Sequence, residues 1–250
     1  MKILLVGCGK MGSAMMNGWK KARIKDIKIV DPALGKDFSA LPKNYHPDYV
    51  VIAVKPQSFS ETLPSLKPFS KAIFISIAAG KTIKSIQKLL PKSAVVRTMP
   101  NLPAIIGQGI TAAFTSAKLS ANIKAGVEKI LKANGKLVWV KKEADLDSVT
   151  AISGSGPAYL FLFADALAQA GVELGLSKDL SKELALQTIK GSVSLAELAK
   201  EDLLTLKQNV TSKGGTTEAA LKVFEGKDAL RKLVTKAAKA AQKRSKELSS

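Results

Sequence analysis

The chain has 250 residues, 46% hydrophobic, 24% charged and 5% aromatic, with 39 Lys and Arg against 20 Asp and Glu for a formal net charge of +19. That length and composition suffice for one large globular domain or two modest ones and exclude a wholly disordered chain. The single cysteine, Cys8, excludes a disulfide framework or four-thiolate metal site, and the single histidine, His46, excludes clustered His ligation, so no metal is expected.

In chain order, short β-rich apolar runs come first: Ile3–Val6, Ile27–Val30, Tyr49–Val54, Ala72–Ile77, Ala94–Met99, Ile110–Phe114 and Lys136–Val140. Several are apolar almost throughout, as strands buried on both faces of a parallel sheet must be. Between them Ser13–Lys21, Ser58–Leu66, Ile83–Leu90 and Ser120–Ala133 read as helices, which makes a βαβ succession. The interval from Asp31 to Asp48 has room only for a cut-down crossover. From Leu146 no convincing strand remains, and Pro157–Leu174, Ser181–Ala199, Thr217–Phe224 and Asp228–Leu248 read as helices, with Ser177, Ser181 and Asp228 as plausible caps. The pattern predicts an α/β fold: a Rossmann-type doubly wound sheet over residues 1–145, then an all-helical domain over residues 146–250. The helix from Ala158 to Leu174 is apolar nearly all round, so a second subunit is expected to cover it.

No run of about twenty uninterrupted apolar residues exists. The nearest, Ala151 to Gly171, is broken by Pro157, Asp165 and Gln169. The N-terminal apolar run ends in Gly7-Cys8-Gly9 rather than at a signal-peptide cleavage site, so a cytoplasmic protein with no membrane partner is expected. The cations are nearly all Lys, with only Arg23, Arg97, Arg231 and Arg244 as arginines. Base readout favours Arg, and aromatics are too sparse for stacking platforms. The charge reads as a solvated surface that attracts anionic substrates and cofactors, with no nucleic-acid partner.

Gly7-Cys8-Gly9-Lys10-Met11-Gly12 follows the first strand and opens the first helix, the context in which G-x-G-x-x-G counts as a dinucleotide loop. The first glycine makes the turn, the second lets backbone approach a pyrophosphate, and the third lets helix and strand pack closely. Asp31 ends the second strand nineteen residues after Gly12, where an acid hydrogen-bonds a ribose 2′-hydroxyl. A carboxylate there repels a 2′-phosphate, so NADH is mildly favoured over NADPH; a turn cap before Pro32 is the competing role for Asp31. Cys8 reads as small filler and His46 as an exposed loop residue. The third strand runs into Val54-Lys55-Pro56, at the end of the sheet where the nicotinamide half should lie. In the second half, Ser153–Tyr159 reads as a close-packing turn. Asn209 to Glu218 reads as a polar loop with two candidate roles: an anion nest of the amides at Gly214 to Thr217, with hydroxyls at Ser212 and Thr217 to donate or relay a proton, or an ordinary helix-start capping loop.

These motifs together resemble the pyrroline-5-carboxylate reductase family. The resemblance rests on Val6–Gly12, Ala53–Pro56, Ala78-Ala79-Gly80, Arg97–Asn101, Asp147–Tyr159 and Val210–Ala220. It implies an N-terminal domain binding NADH or NADPH, a helical domain interlocked with a partner's as a dimer, possible decamers, and 1-pyrroline-5-carboxylate as substrate. Carried over by position, Val6, Gly7, Cys8, Gly9, Lys10 and Met11 would contact pyrophosphate and ribose. Asp31 and Pro32 fall at the 2′ position, while Val54, Lys55, Pro56, Ala78 and Ala79 border the nicotinamide. Asn209 would reach the cofactor from the helical domain. Gly214, Gly215 and Thr216 would hold the substrate carboxylate, and Thr217 would serve the ring nitrogen. Two departures stand out: Lys213 replaces the usual Pro, and Asp202-Leu203 replaces the usual His-Pro. A 3-hydroxyacid dehydrogenase using Lys190 is the rival enzyme, and a non-catalytic nucleotide-sensing or nucleic-acid-binding protein using the basic helix Lys222–Lys246 is the rival of another class.

Overall fold

The computed structural model describes residues 1–249. Packing divides the chain into two compact units: Met1–Pro157 together with the segment from Ala240 onward, and Ala158–Lys239. The division by packing therefore falls later than the one drawn from the sequence at residue 145, and the chain returns to the first unit at its end.

The first unit is built on one sheet of seven strands: β1 (Lys2–Val6), β2 (Asp26–Val30), β3 (Tyr49–Ile52), β4 (Ile73–Ser76), β5 (Ala94–Met99), β6 (Gly109–Phe114) and β7 (Gly135–Trp139), ordered β2-β1-β3-β4-β5-β6-β7. The strands pair in parallel except β5 with β6, which run antiparallel. Successive side chains of one strand enter opposite faces, so the central strands feed two cores. Leu4, Val6, Val50, Ile52 and Phe74 pack on one face with Leu63, Leu66 and Ile86. Ile3, Leu5, Val51 and Ile75 pack on the other with Met15, Trp19, Val127 and Ile130. The second face is covered by α1 (Lys10–Lys21) and α4 (Ala121–Lys132), and the first by α3 (Ile83–Leu89) and the 3₁₀ segment Leu63–Phe69. Trp19 is wholly buried and donates its indole N–H to the carbonyl of Ile130 at 2.9 Å, which ties α1 to α4. Asn134, also buried, donates to the carbonyls of Ala14 at 2.8 Å and Ala104 at 3.2 Å. At the sheet's two edges, β2 and β7 carry Lys28 and Lys136 at exposed positions.

Two local departures from the sequence reading have physical causes. First, α1 starts at Lys10, three residues earlier than its periodicity suggests, because Gly9 of the glycine loop is its N-cap. The expected helix Ser58–Leu66 is not one helix. It is a 3₁₀ turn (Pro56–Ser58), a single α turn, α2 (Phe59–Thr62), and the 3₁₀ segment Leu63–Phe69, because Pro64 and Pro68 have no N–H to give. Between β2 and β3 only 3₁₀ turns occur, Pro32–Leu34 and Phe38–Ala40, as the short interval required.

After β7 come α5 (Asp145–Val149), a π-helical turn (Thr150–Gly154), α6 (Gly156–Glu173), α7 (Lys178–Leu198), α8 (Leu203–Asn209), α9 (Thr216–Glu225) and α10 (Ala229–Ser249). Ser177 caps α7 by accepting the Leu180 N–H at 3.3 Å. Ser181 is not a cap but lies inside α7, its buried hydroxyl donating to the Ser177 carbonyl at 2.8 Å. Asp228 does not cap α10 either; its carboxylate takes the Arg231 guanidinium at 3.2 Å. The short α8 lacked a periodic signal and forms because Asp202 accepts the N–H groups of Leu204 and Thr205 at 2.8 and 3.0 Å.

The helical run Asp145–Glu173 is long and apolar enough, by length and composition, to cross a membrane, and 6% of its apolar window is buried within the chain. In α6 Leu160, Phe161 and Leu162 are 53%, 62% and 71% exposed, and only Ala164 is buried. An apolar surface of that extent marks an interaction face rather than a solvent face.

Candidate active site

One candidate region lies where β1 and β3 adjoin and the strand order reverses, the crevice in which open parallel sheets bind ligands. Gly7 leaves β1 at φ +89° and donates its N–H to the Val30 carbonyl at 2.8 Å. A Cβ on Gly7 would stand 2.8 Å from the Ala53 carbonyl carbon and the Val54 nitrogen, so the loop runs hard against the chain leaving β3. A Cβ on Gly12 would collide with the Gly7 carbonyl oxygen, which holds α1 close to the loop. Gly9 is different: its φ is −67°, and beyond its own stretch of chain no atom of the described residues lies within 4 Å of where its Cβ would be. Protein packing does not demand a glycine there, whereas a pyrophosphate approaching the backbone does. No side chain caps α1 and no acid stands in its first turn, so its positive end is left for an external anion. These residues fit a dinucleotide.

Asp31 fills the turn-cap role read from the sequence and also reaches back to the glycine loop. Its Oδ2 accepts the Cys8 N–H at 2.5 Å, placing the carboxylate at the glycine loop. Its Oδ1 accepts the Ala33 N–H at 2.9 Å, capping the turn that Pro32 opens. The backbone of Lys36 pairs with that of Asp31 across this turn. Cys8 is half-buried with its Sγ 3.3 Å from the Ser13 hydroxyl, and His46 is exposed. Past β3, Val54 is half-buried, Lys55 is exposed at the N-cap of the turn that Pro56 opens, and Ala78 and Ala79 follow β4. Ala78 is buried and donates its N–H to the Ser76 hydroxyl at 3.4 Å.

A second candidate region lies in the helical unit. Asn209 ends α8 and is exposed. Beyond it the Thr211 hydroxyl bonds the Lys207 carbonyl at 2.6 Å, and the Gly215 N–H closes a turn onto the Ser212 carbonyl at 3.0 Å. Gly214 turns at φ +74°, a conformation Cβ-bearing residues avoid. Gly215 is the N-cap of α9, again with no side-chain cap, and Thr216 and Thr217 form its first turn. The Ser212 hydroxyl occupies the space where a Gly215 Cβ would be, so that hydroxyl and the α9 amides share one small region. Lys213 and Thr216 are exposed and Thr217 is half-buried.

Sequence reasoning missed Glu218, which accepts the Gly214 N–H at 2.8 Å and holds the loop from α9. Its place as third residue of the helix, the position that reaches back in a capping box, was the signal available. It also missed a charged chain in the first unit, buried Arg97 and Asp147 with half-buried Glu143, because Arg97 lies too far from the two acids in sequence to leave a pattern. Where the usual His-Pro is absent, Asp202 caps α8, and its hydrogen bonds from the Thr205 and Leu204 amides hold its carboxyl below the usual range. Beside the loop a cavity of about 460 Å³ is lined by Lys207, Thr211, Glu218, Lys222 and Glu225. Lys207 bonds Glu225 at 2.8 Å and lowers its pKa. Lys190 is exposed on α7.

A glycine loop at the switch point of a parallel sheet, with an acid at the end of β2, defines an oxidoreductase of the nicotinamide-dinucleotide class carrying a helical second unit. The family profile described as pyrroline-5-carboxylate reductase dimerisation matches residues 143–248, and one described as NADP oxidoreductase, coenzyme F420-dependent, matches residues 2–80. The pyrroline-5-carboxylate reductase of Pseudomonas aeruginosa is 35% identical over 99% of this chain and 96% of its own. Two solved structures cover the whole chain and 98% of their own: a pyrroline-5-carboxylate reductase from Coxiella burnetii, 35% identical with TM-score 0.88, and the pyrroline carboxylate reductase of Plasmodium falciparum with NADP bound, 34% identical with TM-score 0.86. The chain belongs to the pyrroline-5-carboxylate reductase family.

Proposed function

We propose that this chain reduces 1-pyrroline-5-carboxylate to L-proline, the closing step of proline biosynthesis, with residues 1–145 carrying the cofactor and residues 146–250 the substrate. The observation that supports this best is that the full-length likeness spans both candidate regions, the glycine loop and the Ser212–Thr217 loop, in one chain. The bound reduced nicotinamide supplies the hydride for the imine carbon. The chain's own work is mainly to bind and orient, since a cyclic imine is readily protonated. Val6 to Gly12 hold the pyrophosphate, and Val54, Lys55, Pro56, Ala78 and Ala79 border the nicotinamide. Amides at Gly214, Gly215 and Thr216 take the substrate carboxylate, and Thr217, with Ser212 near it, hydrogen-bonds the ring nitrogen as it becomes an amine. Asn209 reaches the cofactor. Lys213, exposed on the loop, adds positive charge for the anionic substrate.

Asp31 favours NADH mildly, because a carboxylate near the 2′ position repels a phosphate. The exposed apolar face of α6 supports a homodimer as the working unit, with a decamer as its further assembly, in the cytoplasm. Loss of reduced-nicotinamide absorbance with 1-pyrroline-5-carboxylate, run with NADH and NADPH in parallel, tests the reading. Turnover is expected with both, faster with NADH at equal concentration; no turnover from a folded protein that binds cofactor would overturn the substrate assignment. Light scattering reads the assembly: a monomer at working concentration would remove the dimer.

A further inference from the structure

The segment Ala78–Gly80 leaves β4 at the carboxyl end of the sheet and is held by groups remote in sequence. On one side Gly80 is roofed by Leu248 of α10. A Cβ on Gly80 would lie 2.8 Å from the Leu248 Cβ and 2.9 Å from its carbonyl oxygen. On the other side Ile83, which opens α3, donates its N–H to Glu143 Oε1 at 2.7 Å. The same carboxylate oxygen takes a guanidinium nitrogen of Arg97 at 3.2 Å, and the other terminal nitrogen of Arg97 lies 3.8 Å from Asp147 Oδ1. Asp147 Oδ1 in turn accepts the Ser245 hydroxyl at 2.7 Å. Arg97, Asp147 and Ser245 are 4%, 7% and 3% exposed. Ser245 stands three residues before Leu248, so the contacts close a ring: Gly80, Leu248, Ser245, Asp147, Arg97, Glu143, Ile83. Gln242 adds a bond to the Ser148 hydroxyl at 2.7 Å.

A connected chain of charged and polar groups whose centre, Arg97, Asp147 and Ser245, is buried is rigid, and removing a buried member leaves its partners with an unmet desolvation cost. We propose that Ser245 and Leu248, acting through Asp147, Arg97 and Glu143, are positioning residues that fix the Ala78–Gly80 segment against the nicotinamide half of the cofactor. The proposal rests on the reading of that segment as the border of the nicotinamide. None of these residues touches a reacting atom. The adenosine-diphosphate half is held instead by β1, α1 and Asp31, so disturbing the ring changes one half of the cofactor's site and spares the other.

The test uses the full-length protein and two ligands: NADH, and ADP-ribose, which has the same pyrophosphate and riboses but no nicotinamide. Ser245→Ala removes the hydroxyl, and Ser245→Thr keeps it. Calorimetric titration of Ser245→Ala should show NADH binding weakened roughly three- to tenfold, the range of one lost hydrogen bond, with ADP-ribose binding unchanged. Turnover at saturating substrate should fall with it, and Ser245→Thr should restore both. Should Ser245→Ala not fold, Leu248→Gly, which removes the Cβ contact over Gly80 and leaves the backbone carbonyl in place, carries the same comparison. Equal weakening of both ligands, or a lower melting temperature with NADH affinity intact, would overturn the proposal. The binding comparison needs no imine, so it decides the positioning role even if the parent protein proves inactive on 1-pyrroline-5-carboxylate.

Discussion

Replacing Gly9 and Gly12 separately by Ala should split cofactor binding from folding. Gly9 sits at φ −67° and ψ −164°, which alanine reaches without strain, and beyond its own stretch of chain its new methyl would meet no atom of the described residues within 4 Å. Losing a glycine N-cap costs at most about 1 kcal/mol. The stiffer unfolded chain returns roughly 0.4–1 kcal/mol, so net stability should stay within about 1 kcal/mol of the parent. The same methyl takes the volume through which phosphate oxygens must reach the amides. Losing one charge-assisted hydrogen bond costs about 1.5–3 kcal/mol, a rise in Kd of roughly 10- to 100-fold. Gly12→Ala meets a different wall: its methyl collides with the Gly7 carbonyl oxygen and lies 3.3 Å from the Ala53 Cβ. Overpacking of that kind costs about 1–3 kcal/mol, so stability and affinity should fall together. Nucleotide-fluorescence titration and thermal melts of the three proteins decide it. Parent-like NADH affinity in Gly9→Ala, or a melting loss equal to that of Gly12→Ala, would refute the placing of the pyrophosphate over Gly9.

Three further outcomes are expected. Thr217→Ala should lower kcat about tenfold or more while NADH affinity holds, since one hydrogen bond to the ring nitrogen is lost; steady-state kinetics with a parallel NADH titration checks this. Trp19→Phe should destabilise the first unit by about 2–4 kcal/mol in urea, because it vacates packed volume and strands the buried Ile130 carbonyl. Burial, with smaller contributions from Asp26 and Asp48, pushes the Tyr45 phenol up to about 12. The folded state thus holds that proton more tightly than the unfolded state, so stability is intact below pH 10 and declines as pH rises toward 12. Tyr45→Phe should make the alkaline melting curve shallower between those values, and an unchanged slope would assign the decline to other groups.

The sheet was legible because β1, β3 and β4 are nearly continuous apolar runs, a pattern that buried parallel strands impose on sequence. The glycine loop was legible because each glycine answers a separate steric demand at fixed spacing. Asp31 was legible as an acid near the loop and as a turn cap before Pro32, while its simultaneous bond from the Cys8 N–H depended on how the chain turned after β2. The broken Ser58–Leu66 helix shows apolar periodicity outvoted by Pro64 and Pro68. The helix α8 was invisible because seven residues show no period, and its existence hangs on one carboxylate, that of Asp202. The exposed α6 could be anticipated because a helix apolar all round has no solvent face. The Arg97–Asp147–Ser245 chain left no trace, since Asp147 and Ser245 meet across 98 positions.

The two borders of the sheet bear on how copies of this protein avoid one another. A border strand offers a row of backbone donors and acceptors to any strand that approaches, and a lysine on that strand makes the approach electrostatically unfavourable. Lys28 on β2 and Lys136 on β7 stand at the borders of a chain whose formal charge is +19, so border-to-border encounters set like charge against like. That guard works only at the range that ions allow, about 10 Å at 0.1 M salt and about 3 Å at 1 M. The colloidal stability of the folded protein is therefore a property of its buffer as much as of its sheet, and concentrated salt removes it without breaking a single contact in the fold.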